Sequence, residues 1–261
     1  MPYINGGNGS VDTSGTKVRK LLLEEFTGHT CANCPPGAQT IHTLQNTYPD
    51  RIISVAIHAG NFAWPTAPTY TANFQCNEAD DYFNFFSIDH NPVGMVNRRD
   101  YPLSHMKEVG EWGTLVDSIL VKAPDAVLQI TNNYNSGSRQ LTSTVRCEFL
   151  NSLNGTYKLV LLLTEDSIVS PQKDASLPPP NDDLTYTHRH MLRDAISSTS
   201  WGDSLATGFI AAGDTFVKIY NYTLPAIFNN TIPDENHCYV VAYIYNAANY
   251  EVMQAEEKKI K

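Results

Sequence analysis

The sequence predicts two structural classes in series: an α/β unit over residues 17–123, then an all-β sandwich over residues 124–261. Three observations carry this reading. Apolar runs and helix-periodic stretches alternate as far as Ala123-Pro124. Beyond that point strand-like runs follow one another with only turn chemistry between them. A length of 261 residues also suits two domains better than one. Residues 1–16 are polar and rich in Gly, Asn and Ser, and read as a flexible tether.

In the first unit, Lys20–Phe26 is a short apolar run ending in acids, as expected of a buried strand. Ala38, Ile41, Leu44 and Tyr48 recur at helical spacing, and Arg51–His58 is β-branched and apolar, a second strand. Glu78–Phe86 reads as a helix with aromatics on one side. Val93–Asn97 is a short strand directly after Pro92. A longer helix is expected through Met106, Val109, Trp112, Val116, Ile119 and Leu120. In the second unit, Ala126–Thr131, Leu141–Phe149, Tyr157–Thr164, Thr215–Tyr222, His237–Tyr245 and Glu251–Ile260 read as strands. Turns such as Asn135-Ser136-Gly137 and Asn154-Gly155 separate them, which suggests a sandwich of immunoglobulin-like type. The connection Asp166–Thr185 carries Pro178-Pro179-Pro180 and is too long for an idle loop.

Composition narrows the function classes. A hydrophobic fraction of 42% and a charged fraction of 17% describe an ordinary globular chain. A net charge of −9 argues against nucleic-acid binding, which needs a basic surface. No apolar run is long enough to cross a bilayer. The opening Met1-Pro2-Tyr3-Ile4 has no basic-then-apolar signal and reads as a mature segment behind an added methionine. Five cysteines, at 31, 34, 76, 147 and 238, divide into two pairs and one left over in an oxidising compartment. In a reducing one, the CxxC would be the redox or metal motif and the rest inert thiols.

Cys31-Ala32-Asn33-Cys34 follows a buried strand through a short loop and precedes a helix. Two residues between cysteines let the sulfurs meet within one turn, and backbone N–H groups at the positive end of a helix favour thiolate at the first. A redox pair is the preferred reading. The competing one is a Cys₂His₂ zinc site with His29, His42 or His58, although no second CxxC supports it. His29, if charged, would raise the acidity of Cys31. Pro35-Pro36 lack N–H donors and set the regular helix to begin near Pro36, leaving Cys31 in a loop. His188 and His190 are expected on one strand face, without enough partners to make a metal site, and Cys76 as a free thiol. Cys147 shares the inward parity of Leu141, Val145 and Phe149, and Cys238 that of Val240, Ala242 and Ile244. If these are the second and penultimate strands of the sandwich, a Cys147–Cys238 disulfide would pin the two sheets together.

Leu22–Cys34 (LLEEFTGHTCANC) resembles a thioredoxin active-site strand and loop. Thioredoxins carry a buried acid six residues before the first cysteine, where this chain has Glu25, and the resemblance gives it a proton-transfer role at Cys34. They also place a cis-proline before the next strand, opposite the dithiol. His90-Asn91-Pro92-Val93 has that form, so the resemblance implies a cis Asn91–Pro92 bond shaping a groove for extended substrate. Thr30 stands where thioredoxins have tryptophan, and Ala-Asn replaces Gly-Pro between the cysteines, which leaves reductant or oxidant open. The second strand of their terminal hairpin is hard to see between Arg98 and Ser104.

The wider pattern is more specific. EEFTGHTCANCPPGA, IHAGNFA at 57–63, NPVGMVNR at 91–98, TEDSI at 164–168, YTHRH at 186–190 with Arg193, and CYVVAYIYN at 238–246 resemble one family. It is the thioredoxin-like outer-membrane lipoprotein family of Gram-negative anaerobes, named for a twenty-eight-kilodalton antigen. The likeness runs from about residue 17 to the end. It implies export, an outer-membrane-associated place in the envelope on the periplasmic or surface face, and membrane contact only through an N-terminal lipid anchor not carried by this sequence.

The expectation is thus an envelope thiol–disulfide oxidoreductase-like protein with a redox-active Cys31–Cys34 pair, and neither metal nor other cofactor. Cys31 would attack as the more accessible sulfur and Cys34 would resolve. Glu25 would relay a proton, Pro92 would shape the groove, and His29, Thr30, His58 and Asn91 would be neighbours. The partners would be extended protein segments bearing thiols or disulfides. The alternative is a non-enzymatic surface binding or structural lipoprotein that uses the first domain as a scaffold.

Overall fold

The computed structural model describes residues 17–261; the tether expected over 1–16 lies outside them. The first half runs β1 (Leu21–Thr27), α1 (Pro35–Thr47), β2 (Ile52–His58), α2 (Asn77–Phe85), β3 (Val93–Val96) and α3 (Trp112–Leu120). The second half runs β4 (Ala126–Asn135), β5 (Gln140–Phe149), β6 (Leu153–Glu165), four two-residue strands β7 (Ile168–Val169), β8 (Gln172–Lys173), β9 (Asp182–Asp183) and β10 (Thr187–His188), then β11 (Met191–Ala195), β12 (Asp203–Ile210), β13 (Thr215–Thr223), β14 (Cys238–Asn246) and β15 (Val252–Lys259). This is a mixed α/β protein with few helices and many strands. No helix among the described residues is long and apolar enough to cross a membrane.

β1 and β2 pair in parallel through α1, and β3 pairs antiparallel with β1. The expected boundary at 123/124 falls between α3 and β4, yet the sheet continues across it. β11 lies beside β2, joined by Met191 opposite Ala56 and by Ala56 N–H donating to the His190 carbonyl at 2.8 Å. β11 also pairs with β6, so one eight-stranded sheet runs β15-β14-β6-β11-β2-β1-β3, with β12 on the free stretch of β6. A second sheet, β13-β5-β4, packs on it.

Alternation along β6 shows how the layers share this sheet. Leu159, Leu161 and Leu163 face the β13-β5-β4 sheet together with Val240, Ala242 and Ile244. Val160 and Leu162 face the other way, into a core shared with Leu22, Phe26, Val55, Ile57 and Tyr82 of the first half. A third core lies under α3, with Leu21, Leu23, Val96, Trp112 and Val116. Because both faces are covered, β1 and β2 are buried at every residue.

One buried ion pair ties the halves together. Glu24 points into the shared core and takes two hydrogen bonds from Arg98, at 2.8 Å from Nε and 2.5 Å from Nη2. Arg98 Nη2 also donates to the Tyr243 hydroxyl of β14 at 2.7 Å. The guanidinium sits 4.9 Å from the ring centroids of Tyr82 and Phe86. Neither charged side chain reaches solvent, so the pair persists only because the fork and the aromatic faces replace water.

Two expected features differ. The long helix through Met106 starts only at Trp112, after a 3₁₀ turn at Val109–Glu111. Lys107 instead bridges Gly94 with hydrogen bonds of 3.0 and 2.8 Å, a one-residue remnant of the strand sought after Arg98. The Cys147–Cys238 disulfide is absent, and both are free buried thiols. Cys147 lies near the end of β5, where Phe149 packs against Tyr157 of β6. Cys238 is paired with Glu165 at the far end of β6. Tyr157 to Glu165 spans about 26 Å at ~3.3 Å per residue, beyond the roughly 7 Å that a disulfide bridges.

Candidate functional site: a covered disulfide with a buried acid

The strand–loop–helix order delivers the two cysteines to one end of the β1–β2 pair. β1 ends at Thr27, Gly28–Cys31 turn, and α1 begins at Pro35 with Cys34 at its N-cap. The turn closes through Cys31 N–H to the Gly28 carbonyl (3.0 Å) and Cys34 N–H to the Cys31 carbonyl (3.2 Å). Cys31 and Cys34 form a disulfide, Cα to Cα 5.4 Å. The helix starts where the prolines set it, and Cys31 lies outside it. Each cysteine is only 2% exposed. Cys31 is therefore not the accessible sulfur that its loop position suggested.

The cover is the segment Asp166–Tyr186, the long connection of the second half. Its β8 and β9 pair as a small hairpin, and β7 pairs with β10. Lys173 N–H donates to the His29 carbonyl (2.9 Å) and Ala175 N–H to the Ala32 carbonyl (2.8 Å). Gln172, itself buried, donates Nε2 to the carbonyls of Cys31 (2.9 Å) and Gly28 (3.3 Å).

Behind the disulfide lies Glu25. It shares the β1 face of Leu21 and Leu23, which places it under α1 beside Trp112. Helix α1 passes so close that a Cβ at Gly37 would stand 2.3 Å from Glu25 Oε1, so no larger residue fits without a shift. That oxygen is buried without a hydrogen-bond partner in the protein. Burial pushes the Glu25 carboxyl up to about 8, which keeps it mostly protonated near neutrality.

Glu25 lines two voids. A pocket of about 30 Å³, room for a water or two, is lined by Glu25, Thr27, Cys34, His58, Gln172 and His188. A cleft of about 820 Å³ opens between α1 and the covering segment, with Glu25, Ile41, His42, Ser54, Tyr186 and Arg189 among its walls. Solvent thus has a route to Glu25, and Glu25 and Cys34 share the inner pocket.

Three histidines stand beside that pocket. His58 and His188 lie 5.5 Å apart by ring centroid, with Phe74 between them and His29. His29 stacks on Tyr70 and bonds Trp64 O through Nε2 at 3.1 Å. Burial holds His58 and His29 below the usual imidazole range, and His188 down at about 4. Burial thus works against a positive charge on His29 beside Cys31. No group of metal-ligating side chains that could hold an ion occurs among the described residues.

The remaining expected residues divide cleanly. Thr30 anchors the loop through its hydroxyl and N–H to the Phe62 carbonyl, at 2.9 and 3.1 Å. The Asn91–Pro92 bond is cis as expected. Val93 opposite Phe26 puts Pro92 level with Thr27, at the same sheet end as the cysteine loop. Cys147 and Cys238 lie in the core between the eight-stranded sheet and the β13-β5-β4 sheet, away from the site. His190 is not in a strand with His188, because its φ of 53° turns the chain after β10. Gln172, Tyr186 and His188 complete the site from the second half. The length of the Asp166–Thr185 connection is the one sequence signal for Gln172, whereas Tyr186 and His188 stand out in YTHRH without being assigned to this site.

Residues 79–261 match the family described as outer membrane protein Omp28. This chain belongs to that family. The Omp28 match starts beyond the cysteine loop, two residues into α2, and takes in β3, α3 and the whole second half. The chain is accordingly an outer-membrane-associated protein of the cell envelope. Among solved structures, HBP35 of Porphyromonas gingivalis is similar at TM-score 0.67 and 17% identity, over 95% of this chain and 77% of that one. A protein of Agrobacterium tumefaciens, AGR_C_4864, aligns at TM-score 0.53 and 11% identity, over 95% and 97%. A domain of the outer membrane lipoprotein Omp28 from P. gingivalis aligns at TM-score 0.36 and 16% identity, over 53% and 89%. The curated proteins contain no match.

Proposed function

We propose that this Omp28-family protein is a thiol–disulfide exchange protein of the envelope, built on a thioredoxin-like unit (β1–α3) to which an immunoglobulin-like sandwich is joined. The single observation that carries the reading is Glu25. A carboxyl buried without a partner costs stability. Here it lines the same water-sized pocket as Cys34, where a proton donor is needed when the disulfide opens.

The step follows from that placement. A partner thiolate attacks Cys31 Sγ, a new S–S bond forms to the partner, and the Cys31–Cys34 bond breaks with its electron pair on Cys34 Sγ. The leaving thiolate faces a buried pocket and takes the Glu25 proton, directly or through water; Glu25 regains one from solvent through the cleft. In the reverse step Cys34 gives its proton to the ionised form of Glu25 and attacks Cys31 Sγ of the mixed disulfide. The Cys31–Cys34 bond re-forms, and the bond to the partner breaks with its electron pair on the partner's sulfur, which leaves as thiolate. The partners are extended segments of exported proteins bearing thiols or disulfides, and a lipid anchor holds the protein at the membrane.

A scaffold reading, with an inert structural disulfide, is favoured by one observation, the burial of both sulfurs. Reduction kinetics with dithiothreitol at neutral pH separate the two. Glu25→Gln keeps the shape but has no proton to give, and slows reduction by on the order of a hundredfold. An unchanged rate removes Glu25 from the chemistry and favours the scaffold.

A further inference from the structure

The geometry points to Gln172–Asp183 as an inhibitory strap: it occupies the approach to Cys31 and must swing away before any protein thiol reaches the disulfide. This rests on the reading of Cys31–Cys34 as redox-active and adds its regulation.

The strap engages the cysteine loop backbone to backbone. Lys173 and Ala175, two residues apart, aim successive N–H groups at the carbonyls of His29 and Ala32. The buried Gln172 side chain adds its Nε2, which donates to Cys31 O at 2.9 Å and to Gly28 O at 3.3 Å. An extended polypeptide approaching Cys31 would need those carbonyls, and the protein's own backbone holds them.

The strap is also made to come off. Its grip is polar: the bonds above and the Tyr70 hydroxyl on Asp182, an acid that Lys173 pairs with inside the strap at 2.9 Å. Little apolar surface packs inward: Leu177 within it is 36% exposed, and Val169 and Leu184 just outside its two ends are 65% and 61%. From Ser176 to Pro180 every residue is exposed. A segment with many polar contacts and little buried apolar surface opens locally, well below the cost of global unfolding. The rear is arranged differently. The cleft beside α1 stays open to solvent with the strap in place, so protons reach Glu25 while Cys31 is covered. Closure therefore blocks the electron partner and leaves the proton path intact.

The experiment uses the whole oxidised chain and two variants. Gln172→Ala removes the strap's side-chain bonds to the loop. Tyr70→Phe keeps the stack on His29 and removes only the bond to Asp182, away from the cysteines. Each is assayed for amide hydrogen exchange at Lys173 and Ala175 and for the rate of reduction by dithiothreitol. Both variants should exchange faster at these two amides. Reduction should speed up about tenfold in Gln172→Ala and severalfold in Tyr70→Phe, with melting temperatures close to wild type. Reduction at the wild-type rate in both variants, with or without faster exchange, overturns the strap as gate. Faster exchange with a bond that resists reduction in every variant, wild type included, overturns the redox reading on which the strap rests. A slow Glu25→Gln variant that still responds to Gln172→Ala keeps the two claims separate.

Discussion

Replacing Glu25 by Gln should make stability less sensitive to pH, by an amount that can be worked out. In the unfolded chain this carboxyl ionises near the ordinary value of 4.5, whereas burial raises it to about 8 in the folded protein. The folded state therefore holds a proton that the unfolded state releases throughout the interval between the two. Over that interval stability falls as pH rises, at about 1.4 kcal/mol per unit. Below the unfolded pKa there is no penalty, and above the folded pKa the full penalty is in place. A gap of roughly 3.5 units gives a total near 5 kcal/mol, an appreciable share of a typical domain stability. Glutamine has the same shape and no such titration. Urea unfolding of the oxidised protein and of Glu25→Gln, from pH 5 to 8.5, measures the difference between them. Contributions of other shifted groups, such as Glu257 (pushed up to about 7) and the depressed His188, cancel in that difference. The variant should gain on wild type by about 1.4 kcal/mol for each unit until the difference levels off around pH 8. A difference that stays flat across the range refutes the placement of a neutral Glu25 behind the disulfide.

The Glu24–Arg98 pair predicts strong coupling across the two halves. Arg98→Met alone should cost about 3–5 kcal/mol, because it strands a buried carboxylate, and adding Glu24→Gln should restore much of the loss; additive losses in denaturant unfolding would contradict the pairing. Thiol counting checks the cysteine assignment. Alkylation of the unreduced, denatured protein should label Cys76, Cys147 and Cys238 and leave Cys31 and Cys34 unmodified; protection of Cys147 or Cys238 would contradict it.

What the sequence made legible was local. Cys31, Cys34 and Glu25 lie within ten residues of one another on a strand and loop: the CxxC spacing pairs the cysteines, and the likeness to a thioredoxin active-site loop points to Glu25. The strands that are buried on both faces read as continuous apolar runs. Illegible features depended on distant partners. Met191–Ala195 carries Arg193 and Asp194 and has no strand pattern of its own; β2 and β6 on either side make it a strand, and it joins the halves. Strand parity assigned Cys147 and Cys238 correctly to the core, but parity gives the face of a strand and not the height along it, and height kept them apart. The strap's bonds to the cysteine loop, such as Gln172 to Cys31, span 141 positions in the chain. Nothing in residues 28–34 announces the cover above them.

The reduction potential of the Cys31–Cys34 pair bears most directly on the claim that this disulfide works by exchange. The protein is equilibrated with glutathione couples of graded ratio, long enough for the strap to open, and the oxidised fraction is read by alkylation and mass. Exchange predicts a reversible transition with a potential above about −300 mV, within reach of envelope thiols. A bond that stays oxidised at every ratio, from both directions of approach, would mark a structural disulfide and contradict it.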